Sequence, residues 1–304
     1  MPLHLTPVSR RDFMVRSTAA LTSLTLLQTG WAAEARDASR FALLSDTHIP
    51  ERVDIEARGV NMTANLRQVV AQLGALEQKP AGVIINGDCA YLRGLPQDYA
   101  NLAQCVAPLE TAGLPLHLTM GNHDDRGPLY EALAAQRPEN PPVQSKHVSV
   151  IETPNANLFL LDSLFEVNVV TGELGEPQRQ WLAQALDTRS DKPAIVIAHH
   201  NLQFQAPPEG TAWGGLRDTD AFFELLKARK HVKAYVFGHS HNWSLSQRDG
   251  IHLINLPPVA YVFAEGKPNG WVDAWLQPDA IELQLHTIDP QHPQHGEQVR
   301  LVWR

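Results

Sequence analysis

Five short segments of this chain carry the residue types that bind metal ions and move protons: Ser45-Asp46-Thr47-His48, Gly87-Asp88, Gly121-Asn122-His123-Asp124, His199-His200 and Gly238-His239-Ser240-His241. Imidazole nitrogens combined with carboxylate oxygens suit zinc, iron or manganese, whereas calcium takes oxygen ligands alone. Two segments repeat a ligand-x-ligand spacing. In an extended backbone residues i and i+2 project to the same side, so Asp46 with His48, and His239 with His241, are expected to converge on one small volume. Gly87, Gly121 and Gly238 stand directly before Asp88, Asn122 and His239, where they are expected to permit turns that bring those side chains inward. The chain has 14 histidines, so isolated ones must be discounted. His117, His147, His231, His252, His286, His292 and His295 sit in no multi-ligand segment and are read as structural. Arg126 follows the third segment and is read either as a substrate contact or as a solvated loop arginine.

The elements that must position these segments are legible as short apolar, β-branched runs: 41–45, 82–86, 114–119, 158–161, 194–198 and 234–237. Between them, 65–77, 98–112, 177–186 and 218–230 carry apolar residues at helical spacing and are expected to be amphipathic helices. Five of the six runs end directly in a chemically armed segment, and ligands of open α/β sheets collect at the carboxyl ends of strands. After Trp243 the texture changes to extended runs at 250–256, 260–264, 271–276, 281–286 and 298–303, expected to be antiparallel strands. A single mixed sheet, or two sheets packed face to face with helices outside, accommodates both halves. The Pro-rich stretch 138–143 is too short to separate domains. Trp271, Trp275 and Trp303 are expected to pack between sheets, and Trp213 to lie near the pocket rim.

The order Asp-x-His, Gly-Asp, Gly-Asn-His-Asp, His-His, Gly-His-x-His resembles the calcineurin-like metallophosphoesterases, in particular their bacterial class III phosphodiesterases, and spans 41–243. The resemblance implies a four-layer αββα sandwich of two mixed β-sheets flanked by helices. It further implies that Asp46, His48 and His241 hold one metal, that Asn122, His199 and His239 hold a second, and that Asp88 bridges the two. His123 matches the histidine near the leaving group, with Asp124 orienting it, and His200 lines the pocket. One departure stands out: the common His-His-Pro-Pro reads His199-His200-Asn201-Leu202 here, which puts the shape of the substrate loop, and so substrate identity, in question.

The chemistry fits that reading. Two divalent or trivalent ions (manganese, iron or zinc) about 3.5 to 4 Å apart neutralise an anionic phosphoester, orient its oxygens and lower the pKa of a bridging water for in-line attack. His123 is expected to serve the departing oxygen. A phosphodiester such as a cyclic nucleotide or glycerophosphodiester is the expected substrate, with a phosphomonoester as the alternative. A non-catalytic exported metal-binding protein is a rival from another class, but simple storage does not require His123. A lactamase-type metallohydrolase is disfavoured because its His-x-His-x-Asp-His run is absent.

Composition narrows the partners. With 33 acidic against 25 basic residues the formal charge is -8, which argues against nucleic-acid or anionic-lipid partners and for a small-molecule phosphoester. An apolar fraction of 43% is enough for a sizeable core. At the N-terminus, Ser9-Arg10-Arg11-Asp12-Phe13-Met14 and the uncharged stretch 17–33 form a twin-arginine export pattern, with Ala33-Glu34-Ala35 suiting cleavage before Arg36. The ordinary alternative is an amphipathic helix that happens to begin with two arginines. Residues 1–35 are therefore expected to be a signal peptide read by the twin-arginine export machinery, and 36–304 one domain delivered to the periplasm or beyond. The apolar stretch is polar and short for a membrane span, so no stable anchor is expected. Cys89 and Cys105 are the only cysteines, leaving one disulfide or two buried free thiols as the choices.

Overall fold

The computed structural model describes residues 36–304, so the expected signal peptide lies outside the described residues. Residues 37–304 form one compact unit. Its strands are β1 (Asp37–Leu44), β2 (Glu56–Ala57), β3 (Val60–Asn61), β4 (Pro80–Asn86), β5 (Leu116–Thr119), β6 (Ser149–Glu152), β7 (Asn157–Leu160), β8 (Ala194–Ile197), β9 (Val232–Phe237), β10 (Ser244–Arg248), β11 (Ile251–Asn255), β12 (Gly270–Leu276), β13 (Ala280–Thr287) and β14 (Gln298–Val302). The α-helices are α1 (Met62–Ala75), α2 (Pro96–Thr111), α3 (Arg126–Ala132), α4 (Glu176–Asp187) and α5 (Thr219–Lys227). One six-stranded sheet runs β14-β13-β12-β1-β4-β5 and the other β10-β11-β9-β8-β7-β6. Each mixes parallel and antiparallel pairs. β1, β4 and β5 are parallel while β12 joins β1 antiparallel, and β7, β8, β9 and β11 are parallel with β6 and β10 antiparallel at the edges.

The continuous apolar character of the central strands follows from burial on both faces. Phe41, Leu43, Ile84, Leu158, Leu160, Ile195, Ile197 and Val236 point between the sheets into a shared core with Val272 and Leu283. Their immediate neighbours point outward: Ala42, Leu44, Val83 and Ile85 meet Leu66, Val69 and Leu73 of α1 and Leu102 and Leu109 of α2. On the far side, Phe159, Val196 and Tyr235 meet Leu182 and Leu186 of α4 and Phe222 and Leu226 of α5. Period-two alternation thus builds three apolar layers between four structural ones, the expected αββα sandwich.

Helix starts follow capping chemistry. Asn61 accepts from the Ala64 N–H at 2.8 Å to open α1, and Asp125 accepts from Gly127 at 2.9 Å to open α3. Leu95 has no polar side chain to cap α2, so the Asp98 carboxylate reaches back to its N–H at 2.8 Å, with Pro96 in the first turn.

Several expectations are corrected. The run 260–264 is a loop that lies over the candidate site, because its carbonyls and N–H groups bond to Asn65, Asn269 and Asp46 and not to a strand. The tail is not wholly antiparallel, since β11 enters parallel to β9. Trp271 faces outward to α1, where its indole donates to Gln72 at 2.9 Å, and Trp275 lies under the Arg40 guanidinium; Trp303 packs at the margin of the inter-sheet core. Both cysteines are free and buried. Among the described residues no helix is long and apolar enough to cross a membrane.

Candidate metal centre

The five segments meet where the carboxyl ends of the two sheets approach each other. Asn86, the last residue of β4, ties them: its amide donates to the Ala198 carbonyl at 3.1 Å, its side-chain oxygen accepts from Thr119, and its own carbonyl engages His199 Nδ1 at 2.8 Å. Beyond the strand ends the loops bond to one another, Asp46 N–H to Gly87, His48 N–H to Asp88 and Gly238 N–H to His199. Val259 and Ala260 donate to the carbonyls of Ser45 and Asp46.

The convergence of Asp46 with His48 and of His239 with His241 has a different cause from the one expected. None of these residues is extended. Asp46, His48, Asp88, His239 and His241 all sit in the left-handed region, at φ of 53, 45, 48, 65 and 49°. Such conformations cost on the order of 1–3 kcal/mol each in a non-glycine residue and persist where surrounding bonds impose them. Gly87, at φ of 70°, makes the expected turn, whereas Gly121 and Gly238 are needed for closeness. A Cβ at Gly121 would lie 2.2 Å from Asp88 Oδ1, and one at Gly238 would lie 1.9 Å from Ser45 Oγ.

Three ligand groups result: Asp46, His48 and His241; His48, Asp88 and His123; and Asp88, His199 and His239, with the donor atoms of each group within 4.8 Å of one another. Asp88 belongs to two of them. Its Oδ2 is 3.2 Å from His199 Nε2 and 3.7 Å from His48 Nε2, while Asp46 Oδ1 is 3.2 Å from His241 Nε2. His48 and His241 face each other nitrogen to nitrogen at 3.0 Å. Buried atoms with no hydrogen-bond partner among the described residues include His199 Nε2 and Asn122 Oδ1, the two atoms that a second ion would use. The donor set therefore fits a pair of metal ions. His199 and His241 also show the support typical of metal-ligating imidazoles, a carbonyl on the opposite nitrogen: Asn86 for the first and Tyr261, at 2.5 Å, for the second.

Electrostatics point the same way. Burial alone would raise the Asp46 and Asp88 carboxyls, but the neighbouring imidazoles, His241 and His199 for the first and His199 for the second, hold both below the ordinary carboxylate range. Burial would lower His199, yet Asp88 and Asp46 overcome it and lift the ring to about 10. His48, dominated by burial, is pressed down to about 3, and His239 to about 4. Two ionised carboxylates in a dry pocket thus demand positive charge.

The remaining sequence-derived residues are placed as follows. His123 has its backbone N–H on Asp88 Oδ1 at 2.9 Å and its Nδ1 on the Leu92 carbonyl at 2.6 Å, leaving Nε2 for the site. Among the described residues Asp124 makes no hydrogen bond to it. That carboxylate is wholly buried and accepts from the N–H groups of Cys89, Ala90 and Gly121 and from the Tyr99 hydroxyl. Arg126 is not a solvated loop residue, because it grips buried Asp162 through two bonds of 2.6 Å. His200 is buried beside the pocket with Nδ1 on Ser163. Trp213 gives its carbonyl to Thr171. His117, His147, His231, His252, His286, His292 and His295 enter none of the ligand groups. What the sequence reading missed is the aromatic cover: Tyr261 stacks on His48 at 5.3 Å and Phe263 on His241 at 4.1 Å. Their run reads as a strand and holds no polar residue that signals a site.

Residues 39–243 match the calcineurin-like phosphoesterase family. The chain belongs to that family. It is 27% identical over 256 residues to the 3′,5′-cyclic adenosine monophosphate phosphodiesterase CpdA of Pseudomonas aeruginosa, covering 83% of this chain and 88% of that protein. It is also 27% identical over 224 residues to the glycerophosphodiester phosphodiesterase GpdQ of Enterobacter lignolyticus, covering 72% and 77%. A dimetal phosphatase from Danio rerio shares the fold at a TM-score of 0.66 and 17% identity, covering 88% of this chain and 99% of that one. This calcineurin-like phosphoesterase is a metal-dependent phosphoester hydrolase.

Proposed function

We propose that the enzyme is an exported phosphodiesterase that uses two metal ions to hydrolyse a small-molecule diester. Asp46, His48 and His241 hold one ion and Asn122, His199 and His239 the other, with Asp88 shared. The observation that carries this reading is the membership of Asp88 in two ligand groups that meet at its carboxylate. Diester specificity is supported by the relatives named for cyclic adenosine monophosphate and glycerophosphodiester hydrolysis.

When bound, such an ion pair supplies Lewis acidity and lowers the pKa of a coordinated water. The protein's own groups do the rest. Asn122 uses its oxygen as a ligand, and its amide N–H is then available to a phosphate oxygen. His123 commits Nδ1 to the Leu92 carbonyl, which fixes the ring so that the imidazolium can deliver a proton from Nε2 to the departing oxygen. Burial of Asp46, Asp88 and His199 excludes bulk water and strengthens each of these interactions.

Changing His123 to Ala is expected to leave metal content intact while lowering turnover by about a hundredfold, the lower end of general acid catalysis, with the larger loss for poor leaving groups. Elemental analysis alongside bis-nitrophenyl phosphate and alkyl diester assays reads both. Loss of metal from this variant would instead make His123 a ligand, as its grouping with His48 and Asp88 also permits. The natural choice between diester and monoester is made by a substrate panel on the same preparation. Export rests on the segment 1–35 and is tested by fractionating cells that carry the full chain or an Arg10→Lys, Arg11→Lys variant; equal cytoplasmic retention of both would count against it.

A further inference from the structure

A cationic and aromatic wall stands beside the His48 and His241 ligands, and the hydrolytic chemistry makes no use of it. Tyr261 lies over His48 with rings 21° from parallel, and Phe263 lies over His241 at 13°. Their loop is pinned at its base, where Asn65 and Asn269 bond to the carbonyls of Val259 and Ala260. Phe263 nevertheless remains 55% exposed, so a large apolar ring stands in solvent beside the His241 ligand.

The guanidinium of Arg58 completes the wall, 5.0 Å from the centre of the Phe263 ring and 5.8 Å from that of Tyr261. Arg58 makes no ion pair among the described residues. It sits at the tip of the β2–β3 hairpin, where Arg58 and Gly59 have φ of 51 and 75°. A two-residue turn with both central residues left-handed favours Asn, Asp or Gly, so an arginine at its first position works against the backbone.

We infer that Arg58, Tyr261 and Phe263 form the subsite for the organic group of the ester, and that this subsite selects a planar aromatic group such as a nucleobase over a small polyol. A planar guanidinium layered over aromatic rings gains stacking and cation–π attraction from a further aromatic ring and nothing comparable from glycerol. The unpaired positive charge also complements an anionic diester in a chain of formal charge -8. A lipid surface fits less well, because the segment leading into the hairpin exposes Glu51, Arg52 and Asp54 around Val53.

This inference rests on the phosphodiesterase reading, and the test separates the two. In Phe263→Ala the ratio of kcat/KM for cyclic adenosine monophosphate to that for glycerophosphocholine is expected to fall about tenfold, as loss of one base–aromatic stack does, with metal content unchanged. Arg58→Asn is expected to lower the same ratio while holding or raising the melting temperature, because Asn suits the turn. Adenosine monophosphate is expected to bind the metal-loaded protein more tightly than glycerol phosphate, and less so in both variants, which reads the subsite whichever ester is turned over. An unchanged ratio and unchanged binding preference in both variants overturn the subsite and leave the phosphodiesterase reading standing. Hydrolysis of monoesters alone by the unaltered protein overturns the diester reading and leaves the subsite to the binding comparison. If Phe263→Leu restores the preference, or if dihexanoyl phosphatidylcholine loses turnover in parallel with the cyclic nucleotide, the wall is a general apolar contact and selection of planar groups is wrong.

Discussion

Replacing Asp88 by Asn is expected to strip bound metal and to lower phosphoester turnover by about a thousandfold or more. The several kcal/mol of charge stabilisation that metal ions supply corresponds to a factor of that size. The substitution is nearly isosteric, and the amide oxygen can still accept the His123 N–H that Asp88 Oδ1 now holds at 2.9 Å. The loops should therefore keep their course. What disappears is the negative charge between His199 Nε2 and His48 Nε2, at 3.2 and 3.7 Å, and with it the one carboxylate common to two ligand sets. A neutral amide cannot offset two cations at once. Elemental analysis of the variant, far-ultraviolet circular dichroism and diester turnover give the answer together. A folded variant with two metals per chain and full activity would end the shared role of Asp88.

The same region shows which physics a sequence carries and which it hides. The five ligand segments are legible because few residue types bind metals and because each follows an apolar strand whose two faces are both buried, as at Phe41–Leu44 and Ala194–Ile197. The strand runs and the amphipathic helices follow from local pattern, whereas the choice of two packed sheets over one comes with the family resemblance. The conformation of the ligands does not. Asp46 and His48 read as an extended pair, yet both are left-handed, a state imposed by bonds to Gly87 and Asp88 some forty residues downstream. The partners of polar groups are equally hidden. Arg126 finds Asp162, and Trp271 finds Gln72, through contacts across the fold that no spacing records. The 260–264 run is the same failure in another form: its Tyr and Phe have strand propensity, but the carbonyls that flank them are claimed by Asn65 and Asn269.

Asp124 shows how such hidden partners decide stability, and Asp124→Ala is expected to cost about 3–5 kcal/mol of folding free energy. Its carboxylate is wholly buried and takes the N–H of Gly121 at 2.9 Å, of Cys89 at 3.0 Å and of Ala90 at 3.2 Å, together with the Tyr99 hydroxyl at 3.1 Å. The three N–H donors belong to the two loops that deliver Asp88 and Asn122, and the hydroxyl belongs to α2. Burial, and then the Asp88 charge, push this group up to about 6, so the folded chain bears an electrostatic cost to keep it there. Alanine removes that cost but orphans four buried donors, each worth roughly 1–3 kcal/mol when left unsatisfied, and the second effect is the larger. Urea unfolding should show a lower midpoint with an unchanged slope. Metal affinity should also fall by about 10- to 100-fold, because Asp88 and Asn122 lose the frame that sets their separation. If the midpoint holds while turnover alone collapses, Asp124 acts in the chemistry through His123 after all, and its assignment as the clamp between the two loops is wrong.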